Sequence, residues 1–231
     1  MKTWRWVAAV ALVLWAGLAC AAAAPVLKDQ KAKRSYAIGM DIGNSLKRQS
    51  VEVDPDLIAK GVRDVVSGGK TLLTDQEARD TLMALQKDLM AKAEERMKAL
   101  AEKNKKDGEV FLAENKKKEG VVTLPSGLQY KVVKEGAGPV PTDNDVVETN
   151  YRGTLIDGTE FDSSYKRGQT ATFPVKGVIP GWTAALKRMK VGSKWQLFIP
   201  PGLAYGARGA GRDIGPNATL IFDVELLGIK K

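Results

Sequence analysis

The stretch VIPGWTAALKR at residues 178–188 contains a short helical pattern, about Thr183 to Arg188, within a half of the chain rich in β-branched residues. After Gly120, glycine and proline separate runs that predict five strands: Leu128 to Val133, Val146 to Tyr151, Ala171 to Val175, Lys194 to Ile199 and Ala218 to Leu227. Ile156-Asp157-Gly158-Thr159 is a hairpin signal. The pattern predicts an α+β protein whose C-terminal half is an antiparallel sheet with a helix packed across one face.

The residues before Gly120 have a helical pattern instead. Asp54-Pro55 has the order of an N-cap followed by proline at the first helical position, which predicts that a helix begins there. An earlier helix has apolar residues four apart on one face, at Ile38, Ile42 and Leu46. Gly39 and Gly43 lie on a neighbouring stripe, where the lack of side chains would let another helix approach closely.

A third helix is predicted to be much longer. Thr74 and Glu77 have the spacing of a capping box, so this helix should start at Asp75 and run to about Lys118. At about 1.5 Å per residue it would span roughly 65 Å and project beyond any compact domain. Its distal half offers almost no apolar residue for packing. We therefore expect a solvated rod or a hinge there, with Asp107-Gly108 as the point where it bends or frays.

These patterns divide the helical half into two segments. Residues 25–73 are expected to form a helical dimerisation domain, and residues 74–120 a long connecting helix. Two short helices and half of a long one bury little surface in one copy of the chain, so their apolar faces need a partner. A second copy would supply that partner. A small intrachain bundle is the alternative.

The first two dozen residues have the pattern of a secretory signal. Lys2 and Arg5 precede an apolar run from Val7 to Ala19, and small residues continue through Ala24. The run is too short for a permanent membrane span, so residues 1–24 are expected to be removed on export. The alternative is that they remain as an N-terminal anchor.

The single cysteine, Cys20, lies inside this export segment and has no partner for an intrachain disulfide. Cleavage after Ala21, or after an alanine just beyond it, would remove Cys20. Lipoprotein processing would instead make it the acylated first residue. The run Gly17-Leu18-Ala19-Cys20 departs from the usual lipoprotein box, which favours loss of the cysteine. A mature chain without cysteine must be stabilised by packing or oligomerisation.

Composition excludes several classes of chemistry. The chain has no histidine, which excludes Ser-His-Asp and Cys-His catalysis and ordinary zinc sites, and we expect no metal or other cofactor. Lys plus Arg outnumber Asp plus Glu by 36 to 27, but the excess is spread out and no nucleic-acid-reading element accompanies it. Nucleic acid is therefore not an expected partner. Any activity must depend on shape, hydrogen bonds and apolar surface.

Five motifs follow one another in the C-terminal half: Tyr151-Arg152-Gly153, Phe161-Asp162-Ser163-Ser164, Val178-Ile179-Pro180-Gly181-Trp182, Pro200-Pro201-Gly202-Leu203-Ala204-Tyr205-Gly206 and Leu220-Ile221-Phe222-Asp223-Val224-Glu225-Leu226. Together they resemble the FKBP family of peptidyl-prolyl cis/trans isomerases over residues 121–231. The resemblance implies a twisted antiparallel sheet wrapped on a short helix, with a shallow apolar pocket for a prolyl ring. The helical half resembles the Mip-like (macrophage infectivity potentiator) branch, whose members are exported bacterial homodimers joined through their N-terminal helices.

The resemblance implies a set of catalytic residues in that pocket: Asp162, Tyr205, Tyr151, Phe161 and Trp182. Trp182 would form the floor, Tyr205 would offer its hydroxyl to a substrate carbonyl, and Asp162 would face the pocket. Taken singly, the aromatic residues are what any small β domain would bury, and Asp162 could be an ordinary turn-capping carboxylate. The combination of motifs favours a site.

The resemblance also implies substrate-binding residues: Phe173, Val178, Ile179, Phe222, Ile214 and Arg167. The backbone N–H of Ile179 would hold the other end of the peptide, and Ile214 would lie on the loop over the site. Arg167 would pair with Asp162 or with Tyr151.

Isomerisation of an X-Pro bond needs no nucleophile. Rotation about an X-Pro bond faces a barrier of about 18 to 20 kcal/mol because amide resonance must be broken, yet no covalent bond forms. An apolar cavity disfavours the charge-separated planar amide and suits the twisted one. Hydrogen bonds to the flanking carbonyls would hold the peptide bent. Catalysis would then be differential binding of the transition state.

The sequence departs from the family pattern at a few positions. Gly177 stands where relatives often have a bulky or polar residue, and Arg208 and Arg212 replace apolar or histidine residues after Tyr205. We hypothesise that the two arginines favour acidic clients.

Three functions are consistent with these observations. The leading one is a prolyl isomerase that assists the folding of exported proteins and takes proline-containing polypeptides as clients. A chaperone that holds unfolded chains in the cleft of a V-shaped dimer is the second, and a surface adhesin that uses the fold only for display is the third. The family resemblance adds macrolides such as tacrolimus or rapamycin as ligands. We expect a location in the periplasm or at the outer membrane or cell surface of a Gram-negative bacterium.

Overall fold

The computed structural model describes residues 27–230. It has two compact units, which are separated in the sequence between Thr74 and Asp75. The predicted signal segment, with Cys20, lies outside the described residues. Within residues 27–230, no helix is both long enough and apolar enough to cross a membrane.

The first unit contains two helices, α1 (Gln30–Gln49) and α2 (Pro55–Val66). The predicted start of α2 is confirmed, because the Asp54 carboxylate accepts hydrogen bonds from the backbone N–H groups of Asp56 and Leu57, at 2.8 and 3.2 Å. Helix α1 ends at Ser50, which adopts a left-handed conformation. Neither helix contains a buried residue, so the described chain leaves both apolar faces uncovered.

Helix α3 (Asp75–Asn115) starts where the capping box predicted and runs without interruption through Gly108. The prediction that its distal half is a solvated rod with a bend at Asp107-Gly108 is wrong, because Gly108 and Asn115 are buried. Phe111 packs against Phe198 of the sheet with ring centroids 6.0 Å apart. The side chain of Gln129 donates a hydrogen bond to the carbonyl of Leu112 at 2.9 Å. The distal half of α3 is therefore part of the second unit.

The second unit also contains a seven-stranded antiparallel sheet with the order β1-β2-β6-β7-β3-β4, to which β5 is added by pairing with β3. The strands are β1 (Val121–Thr123), β2 (Gln129–Lys134), β3 (Val146–Leu155), β4 (Glu160–Ser163), β5 (Ala171–Pro174), β6 (Lys194–Ile199) and β7 (Leu220–Lys230). The five predicted strands are present, and the predicted hairpin joins β3 to β4. Strands β1 and β4 were not predicted, because β1 has only three residues and β4, with the sequence EFDS, is poor in the β-branched residues that mark a strand.

Two helices lie among these strands, α4 (Ser164–Arg167) and α5 (Pro180–Leu186). Helix α5 starts three residues before the predicted Thr183, because Pro180 occupies the first helical position. Trp182, Ala185 and Leu186 of α5 are buried in one core with residues of the sheet such as Leu197. The α+β fold predicted from the sequence is confirmed.

Candidate active site

A cavity of about 350 Å³ opens between α5, the sheet and the loop that follows β6. Five elements contribute to its lining, which consists of Tyr151, Phe161, Asp162, Phe173, Val178, Ile179, Trp182, Tyr205, Ala210, Gly211, Asp213, Ile214 and Phe222. Most of these side chains are aromatic or aliphatic. A cavity of this kind would accept a small apolar ring from a peptide.

Trp182 forms the floor of the cavity and is almost fully buried, at 4% exposure. Its ring meets those of Tyr151 and Phe222 edge to face, with centroids 5.3 Å apart in both cases, and that of Phe173 at 5.8 Å. Its indole nitrogen has no hydrogen-bond partner among the described residues. The floor is therefore a rigid aromatic surface that carries one unpaired donor.

A second aromatic pair depends on a glycine in β3. Phe161 and Phe222 meet edge to face at 5.4 Å. A Cβ atom at Gly153 would lie 2.6 Å from the Phe161 ring and 2.8 Å from the Phe222 ring. Because only glycine leaves this space, Gly153 allows the two rings to reach the wall of the cavity.

One wall carries a hydrogen-bonded network of Tyr151, Asp162 and Arg167. The Tyr151 hydroxyl donates to the Asp162 carboxylate at 2.5 Å. Arg167 donates to the Tyr151 hydroxyl at 2.8 Å and forms an ion pair with Asp162. Arg167 ends the one-turn helix α4, whose N-cap Ser163 follows Asp162 directly, so local structure brings its guanidinium back to the carboxylate.

The network changes the pKa values of two of its members. Partial burial acts to raise the pKa of the Asp162 carboxyl, but hydrogen bonds from Tyr151 and Arg167 and the guanidinium charge outweigh it, so the pKa lies below its ordinary value. Burial, together with the neighbouring carboxylate, raises the pKa of Tyr151. At neutral pH the pair is therefore a carboxylate and a protonated hydroxyl.

Two further hydrogen-bond donors at the cavity are unpaired. The Tyr205 side chain is 40% exposed, and its hydroxyl has no partner within residues 27–230. The backbone N–H of Ile179 likewise donates to no described residue, whereas its carbonyl accepts from Trp182 and Thr183 at 2.9 and 3.1 Å. These donors can bind the carbonyl groups of an incoming peptide without breaking an existing bond.

Comparison with known proteins identifies the family. Residues 138–227 match the model of the FKBP-type peptidyl-prolyl cis-trans isomerases, and residues 31–132 match that of the domain amino terminal to FKBP-type peptidyl-prolyl isomerase. The outer membrane protein MIP of Legionella longbeachae is 50% identical over 89% of this chain and 88% of its own length. Peptidyl-prolyl cis-trans isomerase Mip of Coxiella burnetii is 47% identical, over 90% of this chain and 91% of that protein. The chain belongs to the Mip-like branch of the FKBP family.

The crystal structure of FkpA from Escherichia coli supports the same assignment. It is 43% identical to this chain, with a TM-score of 0.70, and the match covers 89% of this chain and 99% of that one. The helical N-terminal region and the FKBP domain are therefore both features of relatives, and the predicted family is confirmed.

The FKBP domain brings the predicted site residues together. Ten of the eleven line one cavity, and the exception, Arg167, contacts two of the ten through its hydrogen bonds to Tyr151 and Asp162. The sequence left open which of these partners Arg167 takes, and in the structure it takes both. Their roles in binding and catalysis stay predictions.

Three lining residues were not predicted: Ala210, Gly211 and Asp213. They belong to an irregular loop in which no periodic pattern distinguishes a residue that lines the cavity from an exposed one. Their closeness to the predicted Ile214 was the one signal available. Arg208 and Arg212 of the same loop are exposed and do not line the cavity, and neither forms an ion pair within the described chain. No group of three or more metal-ligating side chains is present in residues 27–230.

Proposed function

We propose that this chain catalyses cis/trans isomerisation of X-Pro bonds in exported polypeptides, with the prolyl ring bound over Trp182. The observation that carries the proposal is the cavity itself, in which an aromatic floor lies between two unpaired donors, the Tyr205 hydroxyl and the Ile179 N–H. Membership in the FKBP family supports the same activity.

Catalysis would be noncovalent. The planar X-Pro amide is polar because of its resonance, and the amide twisted by 90° is less so, so an apolar cavity favours the twisted form. Tyr205 would donate to one flanking carbonyl and Ile179 to the other. The bent peptide would then be bound more tightly near the transition state than in either ground state.

The network of Tyr151, Asp162 and Arg167 would hold the wall of the cavity in place. Because Tyr151 uses its hydroxyl proton for Asp162, its ring is fixed edge-on against Trp182. The Asp162 carboxylate keeps a negative charge at the rim of a mostly apolar cavity. Replacing it by a neutral group would release Tyr151 and leave the Arg167 cation without its counter-ion.

The test is turnover of a proline tetrapeptide measured by NMR exchange with Tyr205→Phe and Asp162→Asn. We expect Asp162→Asn to lower kcat/KM by about tenfold or more and Tyr205→Phe to lower it by about three- to tenfold, because a hydrogen bond to a charged group is worth roughly 1.5–3 kcal/mol and a neutral one about 0.5–1.5 kcal/mol. Tyr165→Phe is the matched control, since Tyr165 is a half-exposed tyrosine that does not line the cavity. Wild-type turnover in both site variants would refute these roles.

We further propose that residues 25–73 form the contact of a homodimer. Helices α1 and α2 border an apolar groove of about 760 Å³, lined by side chains such as Ile38, Ile42, Ile58 and Val62. Ile38 and Val62 are 63% and 54% exposed, which is unusual for large aliphatic residues in a stable single copy. The alternative, a small bundle within one chain, would have to cover these apolar faces of α1 and α2 with other residues of the same chain.

Glycines at the groove provide the test of dimerisation. A Cβ at Gly39 would meet nothing within 4 Å in the described chain, so a large side chain is tolerated by one copy but would block a second helix. Gly39→Leu should therefore convert the dimer to a monomer in sedimentation. Gly61→Leu on α2 is the control, because Gly61 is equally open but does not line the groove. The dimer would be refuted if the chain sedimented as a monomer both with and without residues 25–70.

A chaperone activity of such a dimer is the second candidate function. Its support is the uncovered apolar surface of α1 and α2, which could hold unfolded segments. The activities separate experimentally, because Asp162→Asn and Tyr205→Phe should lose turnover and still suppress aggregation of a proline-free client. Display of the fold as a surface adhesin predicts that these variants keep every measurable function in the cell.

Two further proposals concern ligands and location. Tacrolimus or rapamycin would occupy the cavity over Trp182, so each should inhibit turnover and compete with the peptide.

Export is supported by the name of the Legionella longbeachae relative, an outer membrane protein. We propose an exported protein of a Gram-negative cell. Fractionation of cells that produce the full chain would distinguish periplasm from outer membrane, and mass spectrometry of the mature N-terminus would show whether Cys20 is lost or acylated.

A further inference from the structure

The loop from Gly206 to Asn217 forms one wall of the cavity and has its own internal hydrogen bonds. At its base, Asn217 N–H donates to the Gly206 carbonyl at 2.9 Å. Further along, Ala210 and Ile214 form an antiparallel bridge, with bonds of 2.8 and 3.1 Å. The loop is therefore a small preformed hairpin. Tyr205 directly precedes its base, and Asp213 and Ile214 bring its far arm to the cavity.

Helix α3 contacts this loop at the same base. The side-chain amide of Asn104 donates to the Pro216 carbonyl at 2.8 Å, and that of Asn217 donates to the Ala101 carbonyl at 3.4 Å. Gly215 lies so close that a Cβ there would be 3.0 Å from both Leu100 and Asn104. We call these contacts between residues 100–104 and residues 215–217 the helix clamp.

The clamp holds a segment that would otherwise have few restraints. Gly209 and Gly211 adopt positive φ angles, and Ala207, Arg208 and residues 211–213 are exposed, so much of the loop buries little apolar surface. Surface loops of this kind open locally at low free-energy cost. The three consecutive contacts with one turn of a long helix reduce that freedom where the loop returns to the sheet.

We propose that the helix clamp positions the loop wall of the prolyl cavity, and that Asn104 is a positioning residue for substrate binding. The inference rests on the proposed isomerase function and deepens it. A loop held in its binding conformation spares the substrate the cost of ordering it, so the apparent affinity is higher. By linkage, bound substrate must stabilise the clamp to the same extent.

The experiment uses the full chain with Asn104→Asp, a substitution of nearly equal shape whose carboxylate cannot donate to the Pro216 carbonyl at neutral pH. We expect KM for a proline tetrapeptide to rise and kcat/KM to fall by about three- to tenfold, the size of one lost hydrogen bond. Asn104→Ala should behave in the same way. Lys105→Ala is the matched control, because Lys105 is the exposed neighbour on the same helix and forms no ion pair within the described chain.

A second readout separates positioning from plain stability. Hydrogen exchange of the amides of residues 207–217 should be faster in Asn104→Asp than in Lys105→Ala, and saturating peptide should slow it in the wild type. The proposal is overturned if both Asn104 variants keep KM and kcat/KM within twofold of the control, or if only the unfolding midpoint changes. A wild-type chain without turnover would instead refute the isomerase function, so the two failures are distinguishable.

Discussion

Gly108→Ala tests the packing of α3 against the sheet directly. A methyl group at this position would lie 2.3 Å from Oγ1 of Thr219 and 3.3 Å from its Cβ, whereas relaxed contacts between carbon atoms lie at about 3.5–4.0 Å. Both residues are buried, so the Thr219 hydroxyl cannot turn to solvent. Overpacking of this kind costs roughly 1–3 kcal/mol, and the better helix propensity of alanine offsets about 0.5–1 kcal/mol. The difference is a net loss of up to about 2.5 kcal/mol, with a central value of about 1 kcal/mol.

The assay is urea unfolding followed by tryptophan fluorescence. Three of the five tryptophans lie within the predicted signal segment, residues 1–24. The other two, Trp182 and Trp195, lie in the FKBP core, so in a chain without that segment the fluorescence reports unfolding of the FKBP domain. Gly228→Ala is the control, because a Cβ there meets nothing within 4 Å. In a Thr219→Ala background most of the cost of Gly108→Ala should disappear, since the hydroxyl is gone. A Gly108→Ala chain as stable as the wild type would refute the packing described for α3.

Three further predictions concern the cavity. Because the pKa of Asp162 lies below its ordinary value, its carboxylate stabilises the fold above about pH 4, and the contribution is lost as the pH falls further. Asp162→Asn should therefore make the unfolding midpoint less dependent on pH below about pH 4, and an unchanged pH dependence would contradict this. Gly153→Ala should displace the aromatic pair at the wall and lower kcat/KM by about tenfold, with unchanged kinetics as the contrary result. Replacing Arg208 and Arg212 by glutamine should remove a salt-sensitive preference for acidic peptides; the hypothesis fails if the wild type shows none across a peptide series.

The parts of the fold predicted correctly from the sequence depend on local chemistry. The start of α2 follows from the Asp54 carboxylate and the fixed φ of Pro55, both of which act within one turn. The long strands β3 and β7 show alternation over enough residues to be recognised. The gathering of Tyr151, Asp162 and Trp182 in one cavity came from ordered motifs rather than from any local rule, since these residues lie on three different elements.

The docking of α3 could not be predicted in this way. A packed helix face is normally recognised by an apolar stripe, and residues 101–108 have none. The face packs instead through the missing side chain of Gly108 and the amide of Asn104, and both depend on a surface that a distant segment supplies. From the sequence, Gly108 was considered only as a residue of low helix propensity, at which α3 would bend or fray. The same glycine that weakens an isolated helix allows close approach in a packed one.

The position of β7 in the sheet has a consequence for how the domain forms. It comes after every other strand in the sequence, yet it lies between β6 and β3 and pairs with both. As the chain emerges from a ribosome, β3 and β6 therefore each keep one unpaired edge until the residues of β7 arrive. The helices of the first unit need no such delay. The domain would thus pass through an interval in which the two strands that will flank β7 are open to pairing with another chain.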